Sequence, residues 1–363
     1  MKTRSIIFST LCSLMLGMGF ASCSDDINDD EEPIIDPVDY PAYILNEGLW
    51  GANNGNISRF FPNYKITSAE SDFYKQINGK PMGDVANALI EENNSIYVLL
   101  NGSKYVARLN EFTQEQARYT FPENEGEPRC MDVEDNFLYV TQYGGQVSKI
   151  NIKDMSLAGT FHKGDNLEGI VEKDGKLYVA NSYKGLNDFN QEVFVVNAKT
   201  MALESTLQVV LNPTKIHEID DKIYLISQGN YMDIPGALQV LDTEKGTFTP
   251  ILDNVTKITE GNNGLVYGVC STYDSNWQLT NSFFTYDPKT NKVSKESFLQ
   301  DAPSSFSTDA IYLLEVDDNN GFIYVGTSDY VNSGTIYQFD KAGKLIQSFD
   351  SGGINPSAMV FMD

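Results

Sequence analysis

"KLYVANSYKG" spans residues 176–185, and its opening is written repeatedly along the chain. The pattern returns as "SIYVLLNG" from residue 95, "FLYVTQYG" from 137, "KIYLISQG" from 222, "LVYGVCST" from 265 and "FIYVGTSDY" from 322. Each copy is a short apolar run rich in aromatic and β-branched residues, which reads as a buried strand. Each is preceded by another strand and a tight turn, as in "MDVEDN" and "IVEKDG". Each is followed by a strand that ends in Asn or Asp and a turn, as in "KINIKDM", "VVNAKTM" and "VLDTEKG". Asn, Asp and Gly tolerate the positive φ that tight hairpin turns require.

One unit is therefore strand, turn, "IYV" strand, loop, strand, turn, strand, with a period of about 40 to 55 residues. There are seven units if "AYILNEG" and "RFFPNYK" begin the first. A lone four-stranded unit leaves two apolar faces uncovered, and radial stacking covers both. Units of this kind and period predict an all-β fold, a seven-bladed β-propeller of four-stranded antiparallel blades over residues 41–363. The first unit lacks its innermost strand, whereas the chain ends in an isolated one, "PSAMVFMD". The C-terminal strand is expected to complete blade one and close the ring.

The spacing from the "IYV" tyrosine to the later Asn or Asp varies. It is 13 residues from Tyr97 to Asn110, 12 from Tyr139 to Asn151, and 19 from Tyr178 to Asn197. It is 18, 20 and 16 in the units of Tyr224, Tyr267 and Tyr324. With strand lengths set by their neighbours, the variation belongs to the loop between second and third strands. Those loops share one rim of a propeller, and such insertions mark a binding face. Their contents suit one. Trp50 and Trp277, the only tryptophans, lie there, with Tyr143, Tyr183, Phe189, Tyr231, Tyr273 and Tyr330, and the amides Asn53, Asn54 and Asn187. Trp and Tyr supply large contact area with few rotors to freeze, and amides supply adaptable hydrogen bonds. The plainer alternative is that these rings pack on neighbouring loops. Asn87, Arg129, Glu168, Thr214 and Lys257 begin the innermost strands and are expected to ring the channel mouth, either as ligand contacts or as the lining of a water-filled channel.

Signals for catalysis are weak. His162 falls in an outer strand and His217 in an inner one, and neither pairs with a nucleophile at a recognisable spacing. There is no CxxC or HExxH motif. "EVDDNNGF" lacks calcium-loop spacing and reads as a hairpin turn. No metal and no cofactor is implied. A propeller lyase or lactonase, built from mouth residues that no linear motif reveals, is the enzymatic alternative.

The first 22 residues stand apart. Lys2 and Arg4 precede a short apolar run, and "ASC" places small residues before Cys23, which reads as a lipoprotein signal peptide with Cys23 as the lipidated residue. No later segment has the roughly 18 apolar residues of a membrane helix. Residues 23–40 form an acidic tether. Removing residues 1–22 takes away two cations, so the formal charge of −24 becomes −26, and setting aside the eight acidic side chains of the tether leaves about −18. Such a surface repels nucleic acid. Cys130 and Cys270 are expected to be buried free thiols.

"KLYVANSYKG" and "FLYVTQYG" resemble the YVTN repeat of YncE-like seven-bladed propellers, over residues 41–363. Together with the signal and acidic tether, the chain is similar to the cobalamin-binding BtuG surface lipoproteins of Bacteroidetes. The resemblance implies a cell-surface protein of the outer membrane, held by its lipid anchor. It implies a corrinoid ligand, cobalamin (vitamin B12) or a relative, passed to a TonB-dependent outer-membrane transporter of the BtuB type. The chain is expected to be monomeric on its own. The loop reading alone admits glycan- or protein-binding scaffold and adhesion roles equally.

Overall fold

The computed structural model describes residues 40–243 and 245–362. The signal, Cys23 and nearly all of the tether lie outside them. Seven antiparallel sheets form the ring. The repeated segments are the second strands of their blades: Ser95–Leu100, Phe137–Gln142, Lys176–Gly185, Lys222–Ser227, Val266–Tyr273 and Ile323–Ser328. Ala42–Asn46 is the counterpart in blade one. Among the described residues no helix is long and apolar enough to cross a membrane.

The repetition follows from burial on both faces. Tyr97 and Leu99 pack towards blade three, while Ile96, Val98 and Leu100 pack towards blade one. The buried side chains gather into seven apolar clusters, one for each interface between neighbouring blades. The "IYV" tyrosines, from Tyr97 to Tyr324, are all buried in these interfaces. The polar residues that second strands do bury are partnered: the Thr141 hydroxyl donates to the Glu168 carbonyl at 2.6 Å and the Ser182 hydroxyl to Asn212 Oδ1 at 2.6 Å.

The last strand, Pro356–Phe361, closes the ring as the innermost strand of blade one. It pairs antiparallel with Ala42–Asn46, setting Tyr43 opposite Val360 and Ile44 opposite Met359. The outer position of this blade is irregular: a bridge between Arg59 and Glu70 stands in place of a fourth ladder strand.

Two expectations are corrected. Strand length is not fixed by the neighbours. In blade four the second and third strands, Lys176–Gly185 and Asp188–Asn197, run to 10 residues each, and Leu186 and Asn187 form their turn. The outer strand of that blade pairs inward only as far as Glu192, so the tip projects beyond the outer strand, with Tyr183 still paired to Asn166 of the inner one. Blade six does the same with Val266–Tyr273 and Leu279–Asp287. The two cysteines are free, but each is only half-buried.

Candidate functional site

Successive strands run antiparallel, so all loops between second and third strands leave one rim, here called the mouth. The inner strands begin at the same rim, and each carries a β-bulge near its start. A bulge leaves residues out of the ladder and re-aims their side chains. The residues skipped include Asn87, Arg129, Glu168, Thr214, Thr256, Tyr312 and Ser357, one from each blade. Four of the five expected ring residues hold this place. The fifth is corrected: Thr256 holds it in blade six, and Lys257 sits one residue deeper.

The ring is linked by polar contacts. Asn87 donates to the Arg129 carbonyl at 3.3 Å, and Arg129 Nε donates to both Glu168 oxygens at 3.3 Å. The Tyr143 hydroxyl donates to Glu168 at 2.9 Å, beneath the Arg129 guanidinium at 4.9 Å from its ring centre. Burial, and then the Glu168 charge, raises the Tyr143 pKa. Burial opposes the charge on Arg129 most strongly, but Glu168, Tyr143 and Cys130 together outweigh it and the guanidinium is held protonated. Sequence reasoning missed Glu47 and Tyr312, whose hydroxyl donates to Glu47 Oε2. Tyr312 is third in its strand whereas Asn87 and Arg129 are second in theirs, so the equivalence is set by the bulge and not by the count along the strand.

Above the ring stand the aromatic tips. Trp50 is 70% exposed and Trp277 73%, and Tyr231, Tyr273 and Tyr330 are more than half exposed. Tyr183 and Phe189 are half-buried because they bridge blades: Tyr143 meets Tyr183 edge-on at 5.7 Å, and Phe189 meets Tyr231 at 5.8 Å. Tyr273 lies 6.3 Å from Trp277, and Tyr330 lies 5.9 Å from Tyr312. Asn53, Asn54 and Asn187 are better described as loop builders. Asn54 Oδ1 accepts the Leu49 amide at 2.8 Å, the Asn53 amide reaches Asp84, and Asn187 occupies the blade-four turn with φ near 59°. Trp50 walls a cavity of about 510 Å³ floored by Glu47, Asn101, Arg129, Tyr143 and Asn355. That volume is in the range of small-molecule sites.

The backbone under three tips is unusual. Tyr231, Trp277 and Tyr330 have φ of 59°, 61° and 63°, the left-handed region where a bulky side chain is strained. Asx contacts hold each turn in that shape. Asn230 Oδ1 accepts the amides of Met232 and Ile234, Asp274 Oδ1 those of Asn276 and Gln278, and Asp329 Oδ1 those of Val331 and Asn332. A glycine at each tip would relieve the strain. The corresponding loops of blades two and three are short and carry no exposed aromatic tip.

No protein-family model and no curated protein matches the chain. Solved structures do, at low identity. The hydrazine synthase of Kuenenia stuttgartiensis matches with a TM-score of 0.58 and 15% identity, over 73% of this chain and 85% of that one. A streptogramin B lyase matches with a TM-score of 0.55 and 12% identity, over 74% and 84%. A computationally designed protein, Ika8, matches with a TM-score of 0.54 and 13% identity, over 88% and 91%. These likenesses establish the propeller fold. That fold hosts a lyase and WD40 repeats alike, so it does not by itself fix a function.

Proposed function

We propose that the protein captures a small molecule at its mouth, without chemical conversion, and that the molecule is a corrinoid, cobalamin or a close relative. The observation that carries the capture reading is the placement of Tyr231, Trp277 and Tyr330 in left-handed turns on three consecutive blades. Large rings kept exposed, at positions where glycine would be more stable, imply a use in recognition. The corrinoid assignment rests on the resemblance to YncE-like BtuG lipoproteins. A broad ring with amide arms suits a wide rim of aromatic edges and amides. In this reading Cys23 carries the lipid at the outer-membrane surface, and the ligand passes to a TonB-dependent transporter of the BtuB type.

The test is a titration with cyanocobalamin. Both tryptophans stand at the mouth and report on it, so saturable quenching at low micromolar concentration or below is the expected result. An unchanged spectrum up to high micromolar concentration would overturn the corrinoid assignment and favour a glycan or protein ligand.

A further inference from the structure

Below the mouth ring, each inner strand continues with the residue that follows its ring residue. In five blades it is small or apolar: Ala88, Cys130, Gly169, Leu313 and Ala358. In the adjacent blades five and six it is a lysine, Lys215 and Lys257. The two side chains reach one another from neighbouring inner strands. From blade five, the Lys215 charge acts on Cys130 in blade three, Lys257 in blade six and Glu315 in blade seven, and the channel is the space common to these blades. Lys257 Nζ stands 5.6 Å from the Tyr312 ring centre.

The cluster has an unbalanced demand for negative charge. Among the described residues neither lysine takes part in an ion pair. His217, two residues deeper than Lys215, has a buried Nε2 with no hydrogen-bond partner. Burial, then the two lysines, drives its pKa down to about 3, so the imidazole is neutral and adds no charge of its own. Glu315 is the nearby carboxylate and is engaged by the Thr259 hydroxyl at 3.4 Å. Burial pushes it up to about 7, so it offsets one lysine only in part at neutral pH. Burial, and then the Lys215 charge, hold the Lys257 pKa well below the ordinary lysine value, and an anion between the two lysines would favour protonation of both.

We propose that this layer of the channel binds an oxyanion group, phosphate or carboxylate, held between Lys215 and Lys257 with His217 Nε2 as a third donor. The site would accept a free anion or the anionic arm of a larger molecule seated at the mouth. It requires none of the aromatic tips, so it stands or falls apart from the capture reading. A positive layer inside so acidic a molecule also selects: anions are repelled by the outer surface and concentrated only within.

The test uses inorganic phosphate and acetate as probes on the intact protein, at constant ionic strength near neutral pH. Calorimetry and phosphorus NMR line width should report one saturable phosphate site. Lys215→Gln and Lys257→Gln should each weaken it by about tenfold or more. Glu315→Gln removes the competing carboxylate and should tighten it several-fold, which a merely damaged fold would not do. Phosphate, able to span both lysines, should bind more tightly than acetate, and the reverse order would assign the site to a carboxylate arm. Absence of saturable phosphate and acetate binding, or equal affinity in the double lysine variant, would overturn the proposal.

Discussion

The two rims of the wheel use the same backbone conformation for residues in different settings. At the rim away from the mouth, tight turns place Asn93, Asn94, Asp135, Asp174, Asp220 and Asp221 at positive φ, residues whose short polar side chains tolerate it, and the bulkier Thr113, Met155 and Met201 stand there only with their side chains buried. At the mouth, the same region holds Tyr231, Trp277 and Tyr330. One rim is shaped by folding alone. The other keeps rings that folding disfavours, and this difference is what assigns recognition to one end of the molecule.

The contrast can be broken experimentally. The largest effect is expected on the far rim. Asp317 is fully buried there and accepts the Tyr40 hydroxyl at 2.6 Å and the Asn319 amide at 3.0 Å. Asp317→Ala should cost about 2 to 3 kcal/mol in urea denaturation, with ligand affinity at the mouth unchanged. A loss of affinity would show that the rims are not separable. Next, Trp277→Ala should weaken cyanocobalamin binding by about 2 kcal/mol while leaving the melting temperature nearly as it was. An unaltered dissociation constant would remove Trp277 from the site.

A smaller effect sharpens the comparison directly. At an ordinary exposed strand position Gly is less stable than Ala. At residue 277 the order should reverse, with Trp277→Gly more stable than Trp277→Ala by about 1 kcal/mol. Equal melting temperatures would mean that the turn carries no strain. A pH-dependent effect lies in the channel. Burial raises the Glu315 pKa from 4.5 to about 7, so the folded chain keeps a proton that the unfolded chain releases in between. Stability from this group is whole below the lower value and is lost as pH rises through the upper one. Glu315→Gln should therefore match the parent in acid and melt above it at mildly alkaline pH. Parallel melting curves across that range would sink the assignment.

The wheel was legible because its second strands are apolar on both faces, and this writes an unbroken signature seven times. The closing strand was legible by subtraction, since "PSAMVFMD" has no unit of its own. The extended hairpins were not. Residues such as Lys184, Asn187 and Asp188 rise past their neighbours and bury neither face, so "NSYKGLNDFNQE" has no alternation and reads as a loop. The ring residue of blade six was displaced because a bulge inserts a residue that composition does not mark, moving the position from Lys257 to Thr256. Tyr312 and Lys215 were missed because their significance lies in partners from other blades, Glu47 and Lys257, far away in sequence.

Tyr40 joins the propeller just ahead of Ala42, the start of a second strand, and so at the rim of Asp317 rather than that of Trp50. If the chain is held to a membrane through Cys23, it enters the wheel at the rim opposite the mouth. Upright, the protein would present its aromatic crown to the medium. Delivery of cargo into a transporter in that membrane would then require the mouth to turn towards it, so holding the wheel with its mouth facing the medium should impair transfer while leaving capture intact.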